Sequence, residues 1–217
     1  IDDGSTDGTN EYLRDIKAPN NIELEVHRIG IDNKTKWSSP AYSYNFGFTK
    51  VKYNYVVHHG VDMIYMDDNC LEALWKYIDL NRYVYFMQAR IEENLIEKVP
   101  MNEHFFNAVN HYAHPTISTH FPFVAATSYD ALKRIDFYSD GYGPGAGEDD
   151  ELLDKLHIIF CEFTLITTHT TCHQDHPSGS QGCSSNSVIK SDGVQKLINR
   201  INTGITFTYR RINEEGL

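Results

Sequence analysis

The segment Asp2-Asp3-Gly4-Ser5-Thr6-Asp7-Gly8-Thr9 is where the fold is read. Two carboxylates are followed by residue types that build tight turns, and then by a capping residue ahead of an apolar stripe. Asp7 or Thr9 would cap a helix over residues 6–16, with Tyr12, Leu13 and Ile16 on its inner face. The segment therefore reads as a strand end, a turn and a helix start. Such a junction turns a helix N-terminus and the carboxylates of Asp2 and Asp3 toward one space, where they can accept hydrogen bonds from a base or ribose. Residue types alone would also allow a plain capped turn.

Outward from it, strand and helix patterns alternate. Residues 22–29 place Ile22, Leu24 and Val26 between Glu23 and Glu25, the pattern of a half-exposed strand. Helices are expected at 39–52, led by Pro40, and after Asp67-Asp68-Asn69, where the acids read as capping. Further helices are expected at 129–135, 148–157 and 194–201, and strands at 53–58, 83–91, 123–127 and 160–168. Alternation of this kind implies a single α/β domain over 1–217 with a mostly parallel central sheet flanked by helices. Ligands of such sheets sit at the carboxyl ends of the strands. Residues 141–147 are a Gly-rich turn, and residues 177–193, rich in Ser and Gly, read as a mobile loop suited to a lid, with Lys190 near a phosphate.

Composition bounds the partners. The 217 residues are 41% hydrophobic and 23% charged, ordinary for a globular chain with a real core. A net charge of −11 weighs against nucleic acid, and an anionic ligand would need a cation or a local basic patch. The four cysteines show no CxxC spacing, which argues against a zinc-thiolate site; Cys172 and Cys183 stand close enough in sequence for a disulfide. No apolar run reaches the roughly 18 residues of a membrane span. The reading is cytoplasmic, with a peripheral place at a membrane left open.

Two clusters carry chemistry. Glu148-Asp149-Asp150-Glu151 set four acids at a helix start, where they complement the macrodipole and repel one another, raising the proton affinity of any that is buried. A base for a hydroxyl needs such a carboxylate, and the pattern leaves Glu148, Asp149 and Asp150 all open. His169, His173 and His176 fall within eight residues beside Asp175 and could supply a metal ligand.

The order of these motifs resembles the family 2 inverting glycosyltransferases. The segment from Asp2 to Thr9 is similar to their DDGSTDGT string. Residues 40–47 resemble a helix bearing an A-R-N-x-G pattern, with Asn45 and Gly47 matching and Tyr44 standing where Arg is common. Residues 55–63 resemble the strand leading to a DxD motif, here Gly60-Val61-Asp62, with the first Asp replaced. Residues 141–150 resemble the Gly-rich turn with its acidic pair, and 173–177 the late His segment.

The resemblance implies a GT-A-type nucleotide-diphospho-sugar transferase fold and metal-dependent sugar transfer with inversion. The donor would be a nucleotide sugar, a UDP-sugar first among them, and the acceptor a saccharide or other hydroxyl, as in polysaccharide biosynthesis. It implies Asp62 and His173 as ligands of Mn²⁺ or Mg²⁺, and Asp149 as the base. Asp2, Asp3, Asn45, Glu148 and Asp150 would bind substrate. Family members begin with a strand ahead of DDGS, so a truncated N-terminus, a homo-oligomer whose partner chain completes the sheet, or a rearranged sheet are all expected alternatives. The replaced Asp also keeps open a non-catalytic relative that binds a sugar nucleotide or glycan, and the His cluster a metal hydrolase.

Overall fold

The computed structural model describes residues 1–29, 40–96, 98–99, 107, 109, 114–115, 124–142, 147–159, 162–174 and 184–203. Helix α1 (Thr9–Asp15) follows the DDGS turn, and α2 (Pro40–Thr49) precedes strand β1 (Tyr55–His59). After the bend at residues 60–62 come β2 (Met63–Tyr65), α3 (Cys70–Tyr77), β3 (Arg82–Ile91) and the short α4 (Glu93–Ile96). The chain continues through β4 (His114–Pro115), β5 (Val124–Ser128), α5 (Tyr129–Arg134), α6 (Glu148–Ile158), β6 (Glu162–Gln174) and α7 (Ser184–Asn202).

The strands form one sheet in the order β1-β5-β3-β6-β2, with β4 paired to β3. Among the described residues only β3 and β6 pair in parallel, from Arg82 beside Glu162 to Ile91 beside Gln174. The β1–β5, β3–β5, β3–β4 and β2–β6 pairs are antiparallel. The sheet is thus mixed, not mostly parallel. Alternation of elements fixes the order of helices and strands along the chain, not the direction in which neighbouring strands run.

Side-chain alternation along β3 feeds core clusters on both faces of the sheet, and a third gathers at its end around Ala89, Ile91 and Cys172. Tyr83 joins Phe48, Leu132, Leu152, Leu156 and Leu197 from α2, α5, α6 and α7. Val84 and Phe86 join Leu74, Cys70 and Met63 near α3. Ser128 ends β5 and caps α5, its Oγ accepting from Ala131 N at 3.0 Å. Asp7 accepts from Thr9 N at 3.1 Å and Thr9 Oγ1 at 2.7 Å, while Gly8, at φ 96°, holds the N-cap position of α1.

Several expectations shift. Residues 22–27 form no strand; the segment meets the DDGS turn through one parallel bridge, Asp2 to Arg28, and Ile22, Leu24 and Val26 stay exposed. Strand β1 is a sheet edge of which only His58 is buried. Asp67 does not cap α3. Its Oδ2 accepts from Thr170 N at 3.0 Å, pinning β6 where the β3 register slips between Phe86 and Met87. The slip lets β6 run on to Gln174, so His169 and His173 sit on a strand. Residues 184–193, expected in a loop, are the first half of α7; residues 177–183 lie outside the described residues. Cys172 is a buried thiol, and Cys183 lies outside the described residues. Among the described residues no helix is long and apolar enough to cross a membrane.

Candidate functional site

The bend after β1 and the end of β6 meet by register. Met63 pairs with His173, and Gln174 N donates to Asp62 O at 2.8 Å. This brings His173 Nε2 within 3.0 Å of Asp62 Oδ2, with the imidazole 13% and the carboxylate 28% exposed. His59 lies nearby: burial lowers its proton affinity and the Asp62 charge partly restores it. Val61, between the replaced position Gly60 and Asp62, is wholly exposed.

The acid helix supplies the second half. Glu148 and Asp149 begin α6 after Gly147, whose φ of 136° an L side chain rarely adopts. Glu148 is buried, and its Oε2 has no hydrogen-bond partner among the described residues. Burial raises its proton affinity, and so does Asp150. Asp149 is pushed up to about 7, first by burial, then by the charges of Glu148 and Asp150. Asp150 turns outward, 3.8 Å from Lys190 Nζ, which also stands 3.0 Å from Asp154.

Tyr44 on α2 joins the two halves. Its phenol is held protonated by burial first, then by the fields of Asp149, Asp62 and Glu148. One side chain therefore lies within electrostatic reach of both acids on which the sequence reading centred. Its ring stacks on Tyr138 at 5.6 Å and tilts against His58 at 5.5 Å. His58 is fully enclosed, neither ring nitrogen finds a partner among the described residues, and burial lowers it to about 4.

The remaining candidates flank this centre. Asn45 uses both ends of its amide on one backbone unit: Nδ2 donates to Tyr138 O at 3.0 Å and Oδ1 accepts from Tyr138 N at 3.1 Å. Ala41, Tyr42 and Asn45 face residues 139–142 across a small cleft. Asp3 acts on the Tyr42 phenol there, adding to the effect of burial. Asp2 is buried and turned into its own turn, its Oδ1 accepting from Ser5 N at 2.9 Å and its Oδ2 lying 3.5 Å from Arg28 Nε. Ile1 packs 3.5 Å from where a Cβ at Gly47 would sit, keeping the turn against α2.

The sequence profile of the family described as "Glycosyl transferase family 2" matches residues 1–136, well over half the chain. The chain belongs to glycosyl transferase family 2. The match takes in Asp2, Asp3, Asn45 and Asp62 and stops before the acid helix and His173. Among solved structures, the catalytic domain of Drosophila beta1,4galactosyltransferase 7, solved in complex with xylobiose, aligns at 18% identity and a TM-score of 0.46. That alignment covers 70% of this chain and 59% of that one. No curated protein sequence matches.

For a family 2 domain the sequence reading left out the groups that connect the motifs. In sequence Tyr44 is only a departure from Arg, His58 is one residue of the strand leading to Gly60-Val61-Asp62, and Tyr138 carries no motif at all. Aromatic residues in an apolar-rich stretch look like core; only the fold brings Tyr44 and Tyr138 under the fields of Glu148 and Asp149, with His58 packed on Tyr44. Among the described residues no three His, Cys, Asp or Glu side chains converge as a ready-made metal cage. The Asp62–His173 pair still fits a divalent cation, because a carboxylate oxygen and an imidazole nitrogen are suitable donors and Mg²⁺ commonly takes the rest of its shell from phosphates and water.

Proposed function

We propose that this domain transfers a sugar from a nucleoside-diphosphate sugar to an acceptor hydroxyl, with inversion at the anomeric carbon. The observation that carries the reading is Asp149: a half-buried carboxyl at the head of α6, its proton affinity raised to near neutrality, with Tyr44 in the fields of both it and Asp62. A base works best when its pKa lies near the working pH.

Asp149 takes the acceptor's proton as the hydroxyl oxygen attacks. Glu148, beside it, accepts a hydrogen bond from a second acceptor hydroxyl through its unpartnered oxygen. Asp62 and His173 would hold a Mn²⁺ or Mg²⁺ ion, which when bound neutralises charge on the departing diphosphate. Asp3 and Tyr42 line the approach for the nucleoside end of the donor. Asp2 and Asn45 keep the DDGS turn and the 138–142 wall in place.

The test is release of nucleoside diphosphate from a panel of UDP-sugars with Mn²⁺, with and without saccharide acceptors, for wild type and Asp149→Asn. Turnover in wild type and a loss of about 10²-fold or more in the variant is expected. Near-normal turnover in the variant would remove Asp149 as the base. Gly60, standing where a metal-binding Asp is usual, favours one second reading, a relative that binds the donor without turnover. Donor-dependent thermal stabilisation with no nucleotide release identifies that case.

A further inference from the structure

Residues 136–139 leave α5 in a conformation that ordinary residues avoid. Asp136 and Phe137 have φ values of 62° and 56°, in the left-handed region, and neither is glycine. Side chains from three helices hold this strap. Lys155 Nζ on α6 donates to Phe137 O at 3.0 Å, and Asn45 on α2 takes both polar groups of Tyr138. Glu151 accepts from Ser139 N at 3.0 Å and from Ser139 Oγ, while Arg200 on α7 lies 3.2 Å from Asp136.

At the centre, Lys155 and Glu151 form a 2.8 Å ion pair with side chains 4% and 0% exposed. A buried ion pair seldom repays its desolvation in stability alone. Gly193 of α7 lies so close that an added Cβ would fall 1.8 Å from Glu151 Oε1 and 2.4 Å from Ser139 Oγ, which seals the pair from water. Between the two held positions, the strap drives the Tyr138 ring onto Tyr44, where its hydroxyl is enclosed without a partner among the described residues.

We propose that Glu151 and Lys155 are positioning residues that hold the 137–139 strap so that Tyr138 stays stacked on Tyr44 near the head of α6 and limits the access of water to the half-buried Asp149 carboxyl. The inference rests on the reading of Asp149 as the base. The charges of Glu148 and Asp150 on its own helix act on that carboxyl, and its charge in turn acts on Tyr138 of the strap and Tyr44 of α2. Freed from its clamp, the strap would relax from left-handed backbone, withdraw the ring and let water reach the acid.

The experiment uses Glu151→Gln combined with Lys155→Met, which removes both charges and keeps an acceptor for Ser139 N. Asp149 is followed by its ¹³C-carboxyl titration, assigned with Asp149→Asn. Expected is a cooperatively folded variant in which Asp149 titrates about one pH unit or more lower. With Mn²⁺ and the UDP-sugar panel, kcat should fall about ten-fold or more with donor KM within about three-fold. If the double variant does not fold, Ser139→Ala, which loses only the hydroxyl link, should move the titration in the same direction. An unmoved titration in a folded variant, or an unchanged kcat beside an active wild type, overturns the proposal. A wild type that releases no nucleotide from any donor counts instead against the transferase reading, and the titration then decides the positioning role by itself.

Discussion

Two acidic turns, each at the head of a helix, are built from the same residue types and treated in opposite ways. At the DDGS turn, buried Asp2 meets donors: the Ser5 amide on one oxygen and the Arg28 guanidinium near the other. At the head of α6, Glu148 and Asp149 meet other acids and the phenols of Tyr44 and Tyr138, with no cation in contact with either among the described residues. Asp2 and Glu148 are buried and Asp149 is half-buried. At Asp2 the donors let the carboxyl group brace a turn; at Asp149 burial and neighbouring acids make the carboxyl keep a proton to higher pH, so that it becomes available for proton transfer.

The comparison breaks most sharply at Asp149. Asp149→Asn should lower transfer about 10²–10⁴-fold. It should also stabilise the fold. A carboxyl whose folded pKa is raised to about 7 costs stability that is absent below pH 4, grows between pH 4 and 7, and is complete above 7. The variant should therefore gain on the order of 2–4 kcal/mol at pH 8 and almost nothing at pH 4, read from urea unfolding at both values. For the same reason kcat/KM in wild type should climb with pH to a plateau just above 7. At Asp2 the sign reverses: Asp2→Ala strands the Ser5 amide and the Arg28 charge, and should cost about 1–3 kcal/mol with no gain at high pH.

Gly193→Ala sharpens the contrast from outside the acid pair. The added methyl meets the Glu151 carboxylate and the Ser139 hydroxyl, so either the carboxylate leaves its clamp or α7 backs away from α6. A loss of about 3 kcal/mol in denaturant unfolding is expected, as for an overpacked core.

The existence of these turns was legible in sequence; their electrostatics were not. Asp, Gly, Ser and Thr announce a turn and a helix start wherever they cluster, so the DDGS turn and the start of α6 were readable. The inward Leu152, Leu153 and Leu156 were readable from helical spacing. What stands near a carboxylate can come from elsewhere in the chain, as Arg28 does for Asp2, and local pattern holds no record of it. The same limit explains residues 22–27: alternation marked a strand, but a strand also needs a neighbour, and only the Asp2–Arg28 bridge is formed. Asp67 looked like a cap because an apolar helix follows it, whereas its partner, Thr170, lies 103 residues on.

His58 supplies the smallest and most diagnostic effect, because it is a buried base packed on Tyr44, the phenol that also feels the charge of Asp149. Its imidazole is enclosed between Tyr44 and Phe48, and burial lowers its pKa to about 4. Folding is thus strained by protonation: the stability it leaves intact above pH 6.5 is lost as pH falls toward 4, where the unfolded chain gains a proton that the folded chain refuses. Replacing it by Phe, of similar shape, should flatten the acid limb of the stability profile by on the order of 2 kcal/mol between pH 6.5 and 4 and leave pH 8 nearly unchanged. Asp149→Asn acts on the alkaline limb and His58→Phe on the acid limb, so two side chains within reach of one tyrosine would bend the same curve from opposite ends. If both variants shifted the profile uniformly, the recess would be wet, and the distinction drawn between the two acidic turns would fail with it.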